Sequence, residues 1–407
     1  MSTLTSRERI ARTIRHREPD RVPIDLGGMD SSGITARAYQ GLKDYLGIYE
    51  GIPQVVDPYQ QVVKVEESVL KRVQADVVPV PLEPREWRTG LLPDGRSVVA
   101  YPAAWSTAIQ PDGSELAYDP DGHPIARRAS TSWHFDPISP PLAHAESVAD
   151  VERARDAIEN FDWPFFCDET WEELEAKAAK LHRETSYALM GNFCAHIFAG
   201  GQLLRGFEQF LVDLIANPTL AEAIMDALAD AYVRRFERYA QAVGPYVQVI
   251  NVNDDLGTQD APQVSPRLYR QRIKPYHARL YQYMKSRCTA AIFLHSDGAI
   301  APLIPDLIDA GVDILNPIQV SARGMDPAEL KREFGKDLCF WGGGCDTQHI
   351  LPFGTPQQVS EEVKRRLDAL MPGGGFVFTT VHNIQPEVPP ENVMAMYETV
   401  WKFGIYE

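Results

Sequence analysis

An imidazole and a carboxylate stand two residues apart in the run Phe293-Leu294-His295-Ser296-Asp297-Gly298. Alternate residues of a strand share a face, so His295 and Asp297 can turn together toward one ion or one substrate. They can equally form a plain ion pair at a strand mouth. A thiol lies further on, in Trp341-Gly342-Gly343-Gly344-Cys345. Glycines there let backbone or ligand come close, although a cysteine in such a turn is as readily a small buried hydrophobe. If both stretches end at one mouth, His295, Asp297 and Cys345 offer N, O and S donors with a position left open. That donor set describes a catalytic zinc site.

Other polar residues fall at similar points. Asp254-Asp255 is a carboxylate pair whose members face opposite ways, so at most one faces the mouth; the roles open to it are substrate hydrogen bonding, acid/base work, or orientation of His295. A turn or helix-capping role is the alternative. His382 is placed to contact substrate, and Asn192, Gln319 and Asn383 are read as substrate-binding. Cys339, inside an apolar run, is assigned to the core. His196 and His349 sit a few residues beyond strand ends, and the remaining histidines, His277 among them, read as surface or structural.

These residues need a scaffold that gathers strand ends. Apolar runs near residues 77, 187, 249, 292, 314, 340 and 377 alternate with helical patterns, for example Trp171 to Glu184, Pro327 to Phe334 and Pro390 to Phe403. Gly311, following an apolar periodic stretch from Ile300, reads as a helix stop. Such alternation means a parallel sheet. Seven clear units and one doubtful early strand at Val22–Leu26 match a (β/α)₈ TIM barrel, whose chemistry sits at the carboxyl ends of the strands. The expected organisation is one domain over 1–407, with a helical extension over about 1–75. Residues 84–137 change character: alternation, aromatic residues and repeated Asp-Gly pairs (94–95, 112–113, 121–122) predict an inserted β-rich segment of hairpins. Asp119-Pro120-Asp121-Gly122 lacks the ligand spacing of a calcium loop and reads as a turn.

Composition narrows the partners. The 407 residues are 44% hydrophobic and 24% charged, with 40 Lys and Arg against 56 Asp and Glu, a net charge of −16. That balance argues against nucleic acid or an anionic membrane surface as a partner. No apolar run approaches the ~20 residues of a membrane span, and the first residues lack the apolar core of a signal peptide. Five scattered cysteines do not form a disulfide framework. The expectation is a cytoplasmic protein acting on a small molecule, with a homodimer open.

The stretches NDDLGTQ, SPRLYRQRIKPYHARLYQYMK, FLHSDG, GVDILNPIQ, GGGCDTQHILPFGTPQQV and PEVPPENVMAMY together resemble the uroporphyrinogen decarboxylase superfamily, a (β/α)₈ group that includes cobalamin-dependent methyltransferases. The decarboxylase's arginine-rich N-terminal substrate motif is absent, so the closer likeness is to the methyltransferase branch. There a His-x-Cys and a later Cys hold zinc: His295 matches the histidine, Cys345 falls at or beside the later cysteine, and His382 falls where the decarboxylase has its C-terminal histidine. Asp297 replaces the first cysteine, which would leave a zinc ion harder and more Lewis acidic. The resemblance implies methyl transfer between a corrinoid carried on a partner protein and a small thiol or similar acceptor. A zinc-dependent lyase, hydrolase or decarboxylase acting on a small carboxylated substrate, or an inactive barrel kept as a binding subunit, are the alternatives.

Overall fold

The computed structural model describes residues 4–92, 97–160 and 167–406. Among them, seven strands form one sheet in chain order: β1 (Val77–Val80), β2 (Ala188–Asn192), β3 (Val249–Asn253), β4 (Ala291–His295), β5 (Ile314–Asn316), β6 (Cys339–Trp341) and β7 (Phe376–Val377). Every neighbouring pair is parallel. Parallel neighbours need crossovers, and helices supply them, among them Trp171–Glu184, Pro218–Val243, Lys274–Arg287 and Pro356–Leu370.

The sheet curls. Val77, Ala188, Met190, Val249, Phe293, Ile314, Cys339, Trp341 and Val377, drawn from all seven strands, pack with Ile10 and Met29 into one buried apolar cluster. A flat sheet would hold β1 and β7 far apart, at roughly 4.8 Å per strand. Ile10 belongs to the helix Ser6–Thr13, which packs against both β2 and β7. The other faces of the strands pack in a larger cluster with the helices. The outcome is an α/β fold with a curled parallel sheet.

The extended stretch from Val22 to Leu26 lies along both outer strands. Asp25 N donates to Phe378 O (2.9 Å), Phe378 N to Pro23 O (2.8 Å), and Asp76 N to Ile24 O (2.7 Å). Buried Asp76 also accepts from Ile24 N, Arg9 and Arg21.

Local differences from the sequence reading have identifiable causes. The N-terminal helix Ser6–Thr13 is capped by Thr5, with Glu8 completing a capping box. The apolar pattern over Gln202 to Ala216 spans two helices, Phe198–Arg205 and Phe207–Ala216, broken at Gly206 with φ of +93°. Residues 87–137 form an antiparallel hairpin (Trp87–Leu91 with Val98–Pro102) and a four-stranded antiparallel sheet (Ser106–Ile109, Glu115–Tyr118, Pro124–Arg128, Asp136–Pro137). The Asp121-Gly122 turn has Gly122 at φ +84°, and Asp119 Oδ1 accepts from the backbone of Asp121 and His123. The turn expected at Asp94-Gly95 and the first three residues of the chain lie outside the described residues. Among the described residues no helix is long and apolar enough to cross a membrane.

Candidate metal centre

His295 ends β4 with its side chain turned into the mouth of the curled sheet, and it is buried. Its Nδ1 meets Asn316 Oδ1, from the end of β5, at 2.7 Å. Because an amide oxygen only accepts, Nδ1 carries the proton, and Nε2 presents its partner-seeking side to the mouth. Asn316 is itself fixed, donating through Nδ2 to Trp341 O at 2.7 Å. This is the kind of outer support that sets a ligand histidine's tautomer.

Three groups converge on Nε2. Asp297 Oδ2 lies 3.5 Å away, Asp255 Oδ1 3.8 Å, and Ser31 Oγ 3.3 Å. His382 Nε2 is 3.8 Å from the same Asp297 oxygen, and the two imidazole rings are 5.9 Å apart. The donor atoms of His295, Asp297 and His382 all lie within 4.8 Å of one another. Burial opposes charge on His295, but the hydrogen bond and charge of Asp297, aided by Asp255, outweigh it and raise the imidazole to about 9. The His382 imidazole moves the other way: burial lowers it, against the pull of Asp297. Burial raises Asp297, and the hydrogen bond and charge of His295 more than reverse that. Two nitrogens and a carboxylate oxygen this close, one already oriented, fit a zinc ion with coordination positions to spare.

Cys345 does not join this group, although the sequence reading made it a ligand. It is fully buried in the apolar layer between sheet and helices, and its thiol is pushed up first by burial and then by the charges of Glu362 and Asp346. The triple glycine explains the difference. Gly342 and Gly343 sit at φ +93° and +83°; a Cβ on Gly343 would stand 2.8 Å from Ile318 O, and one on Gly344 2.3 Å from the Phe378 ring. The glycines serve close packing between neighbouring loops and leave no space for a ligand. His382, read as a substrate contact, stands where the third donor was sought. A glycine pair does the same beside Asp297: Gly257 and Gly298 meet so closely that a Cβ on either would clash with the other's backbone.

The aspartate pair, just past the end of β3, divides with one member at the mouth and one away from it. Asp255 is half exposed at the mouth and accepts from Asp297 N at 3.0 Å. Set in the concave mouth, its carboxyl is raised by desolvation, with His295 opposing. Asp254 faces the opposite way, fully buried, and accepts from the amides of Ile197 (2.8 Å), Phe198 (2.8 Å) and Ala199 (2.5 Å) and meets His277 Nε2 at 2.6 Å. It therefore caps the amino end of the helix Phe198–Arg205 from another element. His277, read as surface or structural, is its buried partner and also contacts Tyr269 OH.

The expected substrate contacts scatter. Gln319 Oε1 accepts from Gly298 N at 2.7 Å, bracing the loop that carries Asp297. Asn383 is buried and donates to Gln60. Asn192 donates to Gly28 O, and its Oδ1 has no partner among the described residues. The loop from Gly27 to Ser32 was missed. Its Asp30 carboxyl is raised to about 7 by burial and by Asp57, with His295 opposing, and Ser31 touches His295. The signal was present in Asp25-Leu26-Gly27-Gly28-Met29-Asp30, a glycine turn with a carboxylate directly after the doubtful first strand.

A curled parallel sheet with its polar groups at the strand ends defines a class of α/β enzyme scaffold. The uroporphyrinogen decarboxylase (URO-D) family profile matches residues 165–403, more than half of the chain, and the chain belongs to that family. It is 25% identical over 186 residues to the uroporphyrinogen decarboxylase of Nostoc punctiforme, covering 45% of this chain and 48% of that one. It is 25% identical over 234 residues to that of Thermus thermophilus, covering 54% and 61%. The chain thus spans about half to three fifths of the length of these curated relatives. A methyltransferase from Methanosarcina mazei superposes with a TM-score of 0.60 over 98% of this chain and 99% of that one, at 16% identity, a likeness of fold.

Proposed function

We propose that this chain is a zinc-dependent methyltransferase or demethylase, with His295, Asp297 and His382 as the metal ligands. The observation that carries the reading is the convergence of three donor atoms within 4.8 Å at the mouth, one of them with its tautomer fixed by Asn316. Zinc held there would supply Lewis acidity, lowering the pKa of a thiol or comparable acceptor. Asp255, half exposed and 3.8 Å from His295, is placed to take the acceptor's proton. Gln319 and the Gly257–Gly298 contact hold the Asp297 loop in place. The methyl partner is a corrinoid on a separate protein, as the resemblance to the methyltransferase branch implies; the methyltransferase among the structural neighbours supports methyl transfer alone. We read the fold as a (β/α)₈ barrel closed by Val22–Leu26, on the strength of its hydrogen bonds to both Asp76 and Phe378.

A decarboxylase or related lyase on the same site is the second reading, favoured by the curated relatives and by Asp30, a carboxyl held near neutrality beside His295. Two measurements separate them. Methyl transfer from methylcobalamin to a panel of thiols, dependent on added zinc and lost in His295→Ala, supports the first. Carbon dioxide release without methyl transfer would replace it with the second.

A further inference from the structure

A cavity of about 680 Å³ opens beside the mouth, between the residue 52–67 segment, β1 and the helices Trp171–Glu184 and Pro218–Val243. Met29, Asp30, Asn192, Cys194 and Tyr239 are among the residues that line it. Asp30 precedes Ser31, whose hydroxyl touches His295, so the cavity adjoins the metal centre at Asp30. Exposed Lys64 and Glu67 mark the outer rim.

Three observations define what would fit. Much of the wall is aliphatic and aromatic, with Val56, Val78, Leu181 and Phe193 in it. The charged groups of the lining balance, four carboxylates against four cations, and Lys64 and Lys177 are tied to Glu83 and Glu169. A polyanionic macrocycle therefore finds no uncompensated cation at those lysines. Two lining residues each carry a buried polar atom without a hydrogen-bond partner among the described residues, Tyr239 Oη and Asn192 Oδ1. Tyr239 is only 2% exposed. Unsatisfied buried groups are uncommon and call for an explanation. The Tyr239 hydroxyl lies on the face of β2 where a Cβ on Gly191 would stand 2.6 Å from it, and a phenol free to donate and accept there matches a ligand group able to do both, which is a hydroxyl.

We propose that this cavity is the substrate site, and that it takes a neutral, mainly apolar small molecule anchored by a hydroxyl against Tyr239. The proposal rests on the metal-centre reading for the place of reaction, and on the cavity itself for the chemistry of the ligand. It assigns Tyr239 as a specificity-determining residue and makes a free carboxylate in that position unfavourable, because an unpaired charge buried there is costly.

The test uses 2-naphthol, naphthalene and 2-naphthoate as probes on the full chain, followed by probe fluorescence. The expected result is saturable binding of 2-naphthol at one site, with 2-naphthoate weaker by about tenfold or more, as an unmatched buried charge requires. Tyr239→Phe should weaken 2-naphthol by about 3- to 10-fold, the worth of one hydrogen bond, and leave naphthalene unchanged. The melting temperature of that variant should not fall, since the hydroxyl it removes has no partner. Leu181→Trp, which fills the wall, should weaken both probes; if it does not fold, Val56→Trp serves in its place. Equal binding of 2-naphthoate and 2-naphthol, no saturable 2-naphthol binding, or indifference to the filled wall would overturn the proposal. Zinc content measured on the same samples keeps the two readings apart. Loss of zinc in His295→Ala with 2-naphthol binding retained supports both, and zinc without 2-naphthol binding sinks the cavity proposal alone.

Discussion

Replacing Asp254 tests whether the carboxylate pair was divided correctly. In Asp254→Ala, three backbone amides at the start of the Phe198–Arg205 helix lose their acceptor, and His277 loses a partner at 2.6 Å. The site is fully buried, so water cannot replace the carboxylate without rearrangement. Each orphaned buried group costs about 1–3 kcal/mol, partly relieved by relaxation. Breaking a buried pair by removing one partner typically costs about 3–5 kcal/mol, the range expected here. Denaturant unfolding followed by circular dichroism, compared at equal m-value, reads this directly. The effect has a defined pH dependence. Burial raises the Asp254 carboxyl, but His277 and the amides hold it below its ordinary value. A carboxyl with a depressed folded pKa stabilises above its unfolded value of about 3.9, and that contribution fades as pH falls through the lower folded value. The gap between wild type and variant should therefore be full at pH 7 and shrink below about pH 4. A variant as stable as wild type within about 0.5 kcal/mol, the scatter of ordinary surface changes, yet without activity, would refute the reasoning and return Asp254 to the chemistry.

Cys345→Ser should leave metal content unchanged, and it should cost about 1–3 kcal/mol because a hydroxyl is placed in an apolar layer; loss of metal would restore the thiol as a ligand. His382→Ala should lower zinc affinity by at least about tenfold, or 1.4 kcal/mol, with little change in melting temperature; titration against a chromophoric chelator measures it. Gly343→Ala should destabilise by about 1–3 kcal/mol, since φ of +83° and the 2.8 Å approach to Ile318 O both exclude a side chain; a melting temperature equal to wild type would contradict the packing account.

Much of the scaffold was legible because period and punctuation agree along the chain. Trp171–Glu184, Pro327–Phe334 and Pro390–Phe403 begin and end where capping residues and prolines place them. The nearness of His295 and Asp297 was legible from their spacing, although β4 ends at His295 and the following loop, held by Gln319 and the Gly257–Gly298 contact, is what places Asp297. What failed depended on contacts distant in sequence. Whether Gly342-Gly343-Gly344 makes room or removes it is decided by Ile318 and Phe378 on neighbouring loops. Ser31 meets His295 across a separation of 264 residues. Gly206 breaks a helix whose apolar pattern runs straight through it.

The central claim is that His295, Asp297 and His382 hold a metal ion on which activity depends. The most direct measurement is elemental analysis of the protein after zinc loading and removal of free metal, for wild type, His295→Ala and Cys345→Ser together. The account predicts close to one zinc per chain in wild type and in Cys345→Ser, and little or none in His295→Ala with its fold intact by circular dichroism. A wild type that retains no zinc, or a His295→Ala variant that retains it fully, would contradict the account.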